Sequence, residues 1–239
     1  MKEPLHEGQL MWPILRDNYP LLLQGLLTTL ELTVVGFVGA FLLGTVLAIF
    51  RVSPVRPLRI VGTVYVEFFR NIPLLSLIVL VTFGLPDVGL LLPLFWSGAV
   101  SLLLSGAAFV CETVRSGINT VAIGQSEAAR ALGMGFTTQL RYVILPQAFR
   151  TMVQPLVNVF IGVLIGSSLC AVAGVADITN VTQQLNIQYA AAVVLFLISG
   201  AVYLIFALGA GGLGARLEKR FSGTPSPTLA TPAERRVGA

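Results

Sequence analysis

Charged residues are scarce in this sequence. Only 11% of its 239 residues are Asp, Glu, Lys or Arg, whereas soluble domains carry roughly 25%. Hydrophobic residues make up 55%. This balance excludes an ordinary soluble globule and predicts an integral membrane protein. No long polar linker separates the hydrophobic runs, so we expect one membrane domain.

Reactive side chains are scarcer still. The chain has one histidine, His6, and two cysteines, Cys111 and Cys170, both in apolar surroundings. We expect His6 to be solvated and the cysteines to be small buried hydrophobes rather than a disulfide. The motifs H-E-x-x-H, G-x-S-x-G and G-x-x-x-x-G-K-[ST] do not occur. We therefore expect no enzyme, no metal and no cofactor, and any ATP must be bound by another chain.

The hydrophobic runs predict an all-α, polytopic bundle of about five transmembrane helices. A bilayer core of about 30 Å needs roughly 20 apolar residues per helix. Five stretches meet this requirement, some with help from their flanks: residues 21–50, 61–83, 90–111, 151–176 and 189–215. The polar residues 177–188 separate the last two runs and read as an external loop.

Basic residues fall between these runs and predict the orientation. Lys2 and Arg16 lie on one side, and twelve further basic residues lie on the other: Arg51, Arg56, Arg59, Arg115, Arg130, Arg141, Arg150, Arg216, Lys219, Arg220, Arg235 and Arg236. This asymmetry predicts an external N-terminus and a cytoplasmic C-terminus. Because these charges do not cluster among aromatic residues, a nucleic-acid partner is excluded despite a net charge of +4.

Three regions follow from this pattern. Residues 1–20 form an external or interfacial segment, residues 21–220 form the membrane domain, and residues 221–239 form a tail rich in Pro, Ser, Thr and Ala that we expect to be disordered. Small residues recur at Gly36, Ala40, Gly44 and Ala48, and again at Gly162 and Gly166. Such stripes let helices approach closely, and we expect packing within the bundle rather than a dimer face.

A charged segment, residues 112–147, interrupts this apolar chain on the predicted cytoplasmic side. Ser126 can cap a helix with Glu127 in its first turn, and Gly133 and Gly135 should end that helix. A second short helix should then start at Thr137 or Thr138, run to about Leu145 and return to the membrane at Pro146. The small side chains of Ala128, Ala129 and Ala131 allow a partner to approach. From the residues alone, docking and a solvated hairpin remain equal alternatives.

This segment resembles the EAA motif of the permeases of ABC importers. Glu127-Ala128-Ala129 is followed after three intervening residues by Gly133 and, after nine more intervening residues, by Val143-x-Leu145-Pro146, with Val143 in place of the usual Ile. The resemblance implies that the segment forms coupling helices that enter a groove on a separate ATPase subunit. The implied coupling residues are Glu127, Ala128, Ala129, Gly133, Leu145 and Pro146.

The similarity extends over roughly residues 25–220. The stretches YVEFFRNIPLL, CETVRSGINTVAIGQSEAARALGMG and LPQAFR resemble the polar amino acid branch of these permeases, and RVSPVRPLR, FRNIPL and VRSGINTV resemble actinobacterial glutamate-uptake permeases most. This resemblance implies three protein partners besides the lipid bilayer: an ATP-binding subunit, a second permease subunit and an external solute-binding protein. It also implies a multi-pass location in a bacterial cytoplasmic membrane.

The substrate path is predicted from four residues, Glu67, Arg70, Ser167 and Ser168. Arg70 lies inside a predicted span, where it either pairs with Glu67 one turn away or lines the path of an anionic substrate. Similar permeases commonly carry Lys followed by Asn or Asp just before the serine pair, but this chain has Ile165 and Gly166 there. A cation at that level would then come from a different paired subunit, which favours a heterodimer.

Three functions are compatible with a bundle of this kind. The first is the permease subunit of an ABC importer for a polar amino acid, with glutamate favoured. The second is an ion-coupled secondary transporter, which would need its own ion site; Glu31 and Glu67 are candidates, although no inverted repeat is visible. The third is a membrane scaffold without transport activity, which would not need the EAA spacing.

Overall fold

The fold is a helical membrane bundle. The computed structural model describes residues 7–221, so His6 and residues 222–239 of the tail predicted to be disordered lie outside the described residues. Within this range the chain has no strand. Its α-helices are α1 (Glu7–Val52), α2 (Arg56–Asn71), α3 (Leu74–Val79), α4 (Leu94–Asn119), α5 (Ile123–Ala131), α6 (Phe136–Gln139), α7 (Leu145–Ser167), α8 (Ile178–Tyr189) and α9 (Ala192–Phe221).

The described residues contain four membrane-spanning helices and one bent helix pair, which matches the prediction of about five spans. Four helices, which contain α1, α4, α7 and α9, are each long and apolar enough to cross a membrane. The count reaches five when α2 is taken together with α3 and the turns after it as one bent span, whose two parts meet at an angle of 102°. Ile72 lies in the break with extended backbone angles, because the ring of Pro73 disfavours the helical conformation in the residue before it. The predicted span over residues 61–83 is therefore bent at Ile72 rather than one continuous helix.

Helix α1 is longer than its apolar run predicted. It has 46 residues and continues through Pro13 and Pro20, which corresponds to a length of ~69 Å at 1.5 Å per residue. A bilayer core of about 30 Å takes up less than half of that length. Residues 7–20, predicted as part of a separate N-terminal segment, therefore belong to the same helix as the first span.

The centre of the bundle is the contact between α1 and α4. Ala40 and Ala48 are fully buried there. Gly44 allows the closest approach, since a Cβ atom at this position would lie 2.6 Å from the carbonyl oxygen of Ala107. The stripe of small residues in α1 thus packs within the bundle, as expected. Gly162 differs, because a Cβ atom there would meet nothing within 4 Å.

The polar residues between the last two spans form a helix rather than the predicted loop. Asp177 caps α8 by accepting a hydrogen bond from the Asn180 N–H at 2.9 Å. The Ile178 N–H donates to Thr29 Oγ1 of α1 at 3.0 Å and holds α8 against the bundle. Since α7 runs from the α5–α6 segment to α8, these two short elements lie at opposite ends of the bundle, here called the hairpin end and the α8 end.

The two cysteines behave as predicted. Cys111 and Cys170 are both free and fully buried. They pack in two separate apolar clusters, Cys111 with Ala107 and Val110, and Cys170 with Leu32 and Ile78. They therefore contribute to the core and form no disulfide.

Candidate functional site

A cavity of about 470 Å³ opens between the bend after α2 and the helices α4 and α7. Its polar lining comes from Arg70, Ser105 and Asn158, and Gly162 leaves the wall open beside them. The other lining residues are apolar or glycine: Ile72, Leu74, Leu102, Gly106, Phe109, Val159 and Val163. A space at membrane depth with few polar groups in an apolar wall is typical of a small-molecule site.

Arg70 is the charged residue of this cavity. Its side chain is 46% exposed, and its Nη1 atom lies 3.9 Å from Glu112 Oε1. The guanidinium also lies 5.8 Å from the centre of the Phe109 ring. The expected pair with Glu67 is wrong: within the described residues, Glu112 is the carboxylate within 4 Å of Arg70. Glu67 is exposed, does not line the cavity and receives a hydrogen bond on its carbonyl oxygen from Asn71.

Glu112 connects three helices near the hairpin end. Its carboxylate binds Arg51 of α1, Arg115 of α4 at 2.8 Å and, more weakly, Arg70 of α2. Because Arg51 and Arg115 already make close hydrogen bonds to this carboxylate, the contact with Arg70 is the weakest of the three. Arg70 is thus held beside the cavity while its guanidinium remains available to a ligand. Arg70 and Glu112 lie far apart in the sequence, so no local pattern predicts their contact.

The two serines predicted for the substrate path do not present free hydroxyls. Ser167 is fully buried, and its Oγ donates to the Leu164 carbonyl at 2.7 Å. Ser168 donates to the Ile165 carbonyl at 2.6 Å. Neither residue lines the cavity at Arg70. In their place the structure brings Asn158 and Ser105 to the cavity, two residues that the sequence analysis missed although Asn158 is polar within an apolar run.

Ile165 and Gly166, although adjacent in the sequence, have different surroundings in the structure. Ile165 is 53% exposed and follows Asn158 and Gly162 at helical spacing, so these three residues share one face of α7. Gly166 is buried, and a Cβ atom there would lie 2.8 Å from the side chain of Leu74. The departure from the family pattern therefore puts an apolar side chain on the cavity side and lets α7 approach α3.

A second feature is the hairpin of residues 123–145 at the hairpin end, here called the charged hairpin. Its first arm, α5, ends in a Schellman motif: the Met134 N–H donates to the Ala129 carbonyl at 3.1 Å, and the Gly133 N–H donates to that of Arg130 at 2.9 Å. Gly133 has a φ of +77°, a conformation that side chains oppose. The predicted break at Gly133 is confirmed, whereas Gly135 does not have a positive φ.

The predicted helix starts in this hairpin were wrong. Helix α5 begins at Ile123 after Ala122, without a side-chain cap, so Ser126 lies inside it and Glu127 lies past its first turn. The second arm begins at Phe136, before Thr137 and Thr138. It runs through a π-helical turn, Leu140–Ile144, into α7, so the helix is continuous past Leu145 and Pro146. Pro146 directly follows the π-helical turn, within the first turn of α7.

Gln139 joins the two arms of the charged hairpin. Its side chain is buried, and its Nε2 donates to the Ser126 carbonyl at 2.8 Å and contacts the Ser126 hydroxyl. Ala129 is buried as well, so it faces the interior rather than a partner. The other predicted coupling residues are exposed: Glu127, Ala128, Gly133, Leu145 and Pro146. Large apolar side chains accompany them, with Ile123 75% and Leu132 82% exposed.

At the α8 end, Asp177 is a buried carboxylate. Besides capping α8, it accepts a hydrogen bond from the Tyr203 hydroxyl of α9 at 3.0 Å. Burial raises the pKa of Asp177, and hydrogen bonds from Asn180, Tyr203 and Thr179 oppose this rise. The residue links α8 to α9 on the opposite side of the bundle from the charged hairpin.

Comparisons with known proteins show the family to which the chain belongs. Residues 40–223 match the family described as "Binding-protein-dependent transport system inner membrane component". The chain belongs to this family. It is a multi-pass protein of the cytoplasmic membrane, and permeases of this kind have no ATPase site of their own. The family match also decides among the three functions left open by the sequence, in favour of the ABC permease.

Individual relatives agree with the family. A probable glutamine ABC transporter permease from Bacillus subtilis is 35% identical over 212 residues, which cover 87% of this chain and 98% of the relative. A glutamate transport system permease from Corynebacterium efficiens is 37% identical over 217 residues, with 85% and 95% covered. A crystal structure of an amino acid ABC transporter with histidines superposes with a TM-score of 0.82 at 33% identity, covering 86% of this chain and 96% of that one. The resemblance to amino acid ABC permeases is therefore confirmed.

Proposed function

We propose that this permease subunit imports a polar amino acid of the glutamate type, driven by ATP hydrolysis on a separate subunit. The observation that carries this proposal is the position of Arg70, whose guanidinium lines the cavity and is only weakly held by Glu112 at 3.9 Å. A substrate carboxylate can bind this guanidinium more closely than Glu112 does. The relative from Corynebacterium efficiens, which is named for glutamate transport, supports the same substrate class.

The test is uptake by the reconstituted complex of this subunit with its paired permease, ATPase and solute-binding protein. Radiolabelled glutamate, glutamine and arginine are compared for the wild type, Arg70→Lys and Arg70→Gln. We expect Arg70→Gln to reduce glutamate uptake at least tenfold and Arg70→Lys to retain part of it. Wild-type glutamate uptake by both variants would remove Arg70 from the substrate path, and preferred uptake of arginine by the wild type would contradict the substrate class.

The charged hairpin is the surface that we propose for ATPase docking. Its exposed Glu127 and the exposed apolar side chains of Ile123 and Leu132 support this role. We expect Glu127→Lys to insert normally and to lose copurification of the ATPase, because the substitution reverses a charge at the docked surface. Glu218→Lys, an equal charge reversal at an exposed position of α9, serves as the control. Equal ATPase recovery with both variants would contradict docking at this hairpin.

The second permease subunit is proposed to differ from this one. The cavity face of α7 carries Ile165, which is 53% exposed and offers only apolar contact. If a cation is needed at this level, the paired subunit must provide it. We expect removal of the matching lysine in the paired permease to reduce glutamate uptake, and Ile165→Lys in this chain to restore part of it. Copurification of two differently tagged copies of this chain in one complex would contradict the heterodimer.

A further inference from the structure

The start of α2 combines two exposed arginines with exposed apolar side chains. Arg56 and Arg59 lie in the first turn of the helix, which has no acidic residue. Within the described residues, neither arginine has a carboxylate within 4 Å. Both line a concavity of about 370 Å³, whose other walls are Ile60, Thr63 and Val64. The concavity therefore joins uncompensated positive charge to an apolar wall.

The two arginines lie at a membrane surface rather than at membrane depth. They follow the turn of residues 53–55, which joins the span of α1 to that of α2. A turn of this kind stays outside the hydrocarbon, where its free backbone groups can bind water. Arg51 near the end of α1 binds Glu112 of α4, so this surface is the one at the hairpin end. The guanidinium groups are therefore at the level of the lipid headgroups.

An apolar strip continues from the arginines toward the membrane interior. Ile60, Val64 and Phe68, here called the apolar strip, follow Arg56 at intervals of four residues and lie on the same side of α2. Each of the three is more than half exposed. Arg56 and Phe68 are ~18 Å apart along the helix axis at 1.5 Å per residue. One leaflet of the bilayer core is about 15 Å deep, so the strip has the length of a phospholipid acyl chain.

We propose that the start of α2 binds an anionic phospholipid, with its phosphate at Arg56 and Arg59 and one acyl chain along the apolar strip. Basic residues at a membrane surface attract anionic headgroups, and the guanidinium fork matches the geometry of a phosphate. A zwitterionic headgroup adds a cation, which the two unpaired arginines repel. The proposal does not depend on which amino acid the permease carries.

A free phosphate ion has the same chemistry but fits the surface less well. It would meet the arginines in water, where exposed ion pairs contribute little. It would also leave the apolar strip uncovered. A phospholipid occupies both parts of the surface, because its phosphate and its acyl chain are joined in one molecule.

Photo-crosslinking tests the site in the assembled complex of this chain, its paired permease and the ATPase. The complex is reconstituted into phosphatidylcholine vesicles that contain a trace of phosphatidylglycerol with a diazirine in its acyl chain. After illumination, mass spectrometry of the digested chain locates the lipid adducts. We expect an adduct on the apolar strip. Competition by unlabelled phosphatidylglycerol then measures the affinity of the site.

The test variant is Arg56→Gln with Arg59→Gln, and its control is Arg216→Gln with Lys219→Gln. The control removes the same charge from two exposed positions of α9 that are also three residues apart. We expect the test variant to weaken binding by about tenfold or more, since each basic residue near an anionic surface contributes about fivefold to lipid affinity. The control should leave the adduct on the apolar strip and its competition curve unchanged.

Three results would overturn the site. The first is an equal loss of affinity in the two charge variants, which would show a general effect of surface charge. The second is an equal adduct on the apolar strip from photoactivatable phosphatidylcholine, which would show that the headgroup is not recognised. The third is full displacement of the lipid by inorganic phosphate, which would show an ion site. We expect phosphate to compete only weakly.

Discussion

The Nε2 atom of Gln139 donates to the carbonyl oxygen of Ser126 across the charged hairpin, at a distance of 2.8 Å. Because this side chain is buried, its loss leaves the Ser126 carbonyl without that partner. We expect Gln139→Ala to destabilise the hairpin by about 1 kcal/mol and Gln139→Glu to destabilise it more, since a carboxylate would face the carbonyl oxygen. Faster amide hydrogen exchange in α5 is the measurement.

The control for Gln139 is Gln147→Ala. Gln147 is exposed and donates to the Val143 carbonyl of its own helix at 2.8 Å, so it does not join the two arms. Hydrogen exchange in α5 that is unchanged in Gln139→Ala, or that rises equally in Gln147→Ala, would show that the contact between the arms does not hold the hairpin together.

The turn at Gly133 gives a second prediction. A Cβ atom at Gly133 or Gly135 meets nothing within 4 Å, but only Gly133 has a positive φ. Gly133→Ala should therefore cost roughly 1–2 kcal/mol from backbone strain, while Gly135→Ala should cost little. We expect the strained variant to reduce ATPase stimulation by substrate in the assembled complex. Equal stimulation in the two variants would show that the geometry of this turn does not affect coupling.

Loss of the Glu112 carboxylate should destabilise the protein. Glu112→Gln leaves the guanidinium of Arg51 without its ion pair, and the lost charged hydrogen bonds should cost roughly 1.5–3 kcal/mol. Thermal unfolding of the detergent-solubilised complex measures the effect. Arg51→Gln in the Glu112→Gln background should recover part of the stability, because it removes an unpaired charge.

Glu67→Gln is the matched control for Glu112→Gln. Glu67 is exposed and has no cation within 4 Å in the described part of the chain. Each substitution removes one negative charge. A loss of stability as large in Glu67→Gln as in Glu112→Gln would contradict the structural role of the arginine cluster.

The raised pKa of Asp177 predicts that the stability of the protein depends on pH. Burial raises its pKa above the ordinary value of 3.8, so the folded protein binds this proton more tightly than the unfolded chain does. The stability that comes from protonation is fully present below pH 3.8 and is lost as the pH rises through the raised pKa. Compared with Asp177→Asn, the wild type should therefore gain thermal stability as the pH falls. Asp87→Asn, at an exposed position, controls for net charge; a pH-independent difference between the wild type and Asp177→Asn would contradict the linkage.

Local chemistry explains what the sequence could and could not predict. Hydrophobic runs located the four long spans and the bent pair of α2 and α3, and the spacing from Glu127 to Pro146 identified the hairpin, because both signals lie in contiguous residues. The break at Ile72 could also have been predicted, since Pro73 follows it. The α5 cap was misread because Ser126 is a good capping residue that here sits inside the helix. The contacts of Glu112 with Arg51 and Arg70, and of Gln139 with Ser126, depend on how helices pack, which no local pattern contains.

The unbroken helix from the charged hairpin into α7 has a mechanical consequence. Residues 137–173 form one continuous helical element with a π-helical turn at Leu140–Ile144, and Asn158 lies 19 residues beyond Gln139, or ~28 Å along the axis at 1.5 Å per residue. A tilt of about 10° about the hairpin would displace the cavity wall at Asn158 by ~5 Å over this lever arm. A movement of that size is comparable to the width of an amino acid. A small rotation of the charged hairpin, where we propose that an ATPase binds, would therefore be enough to change the width of the cavity.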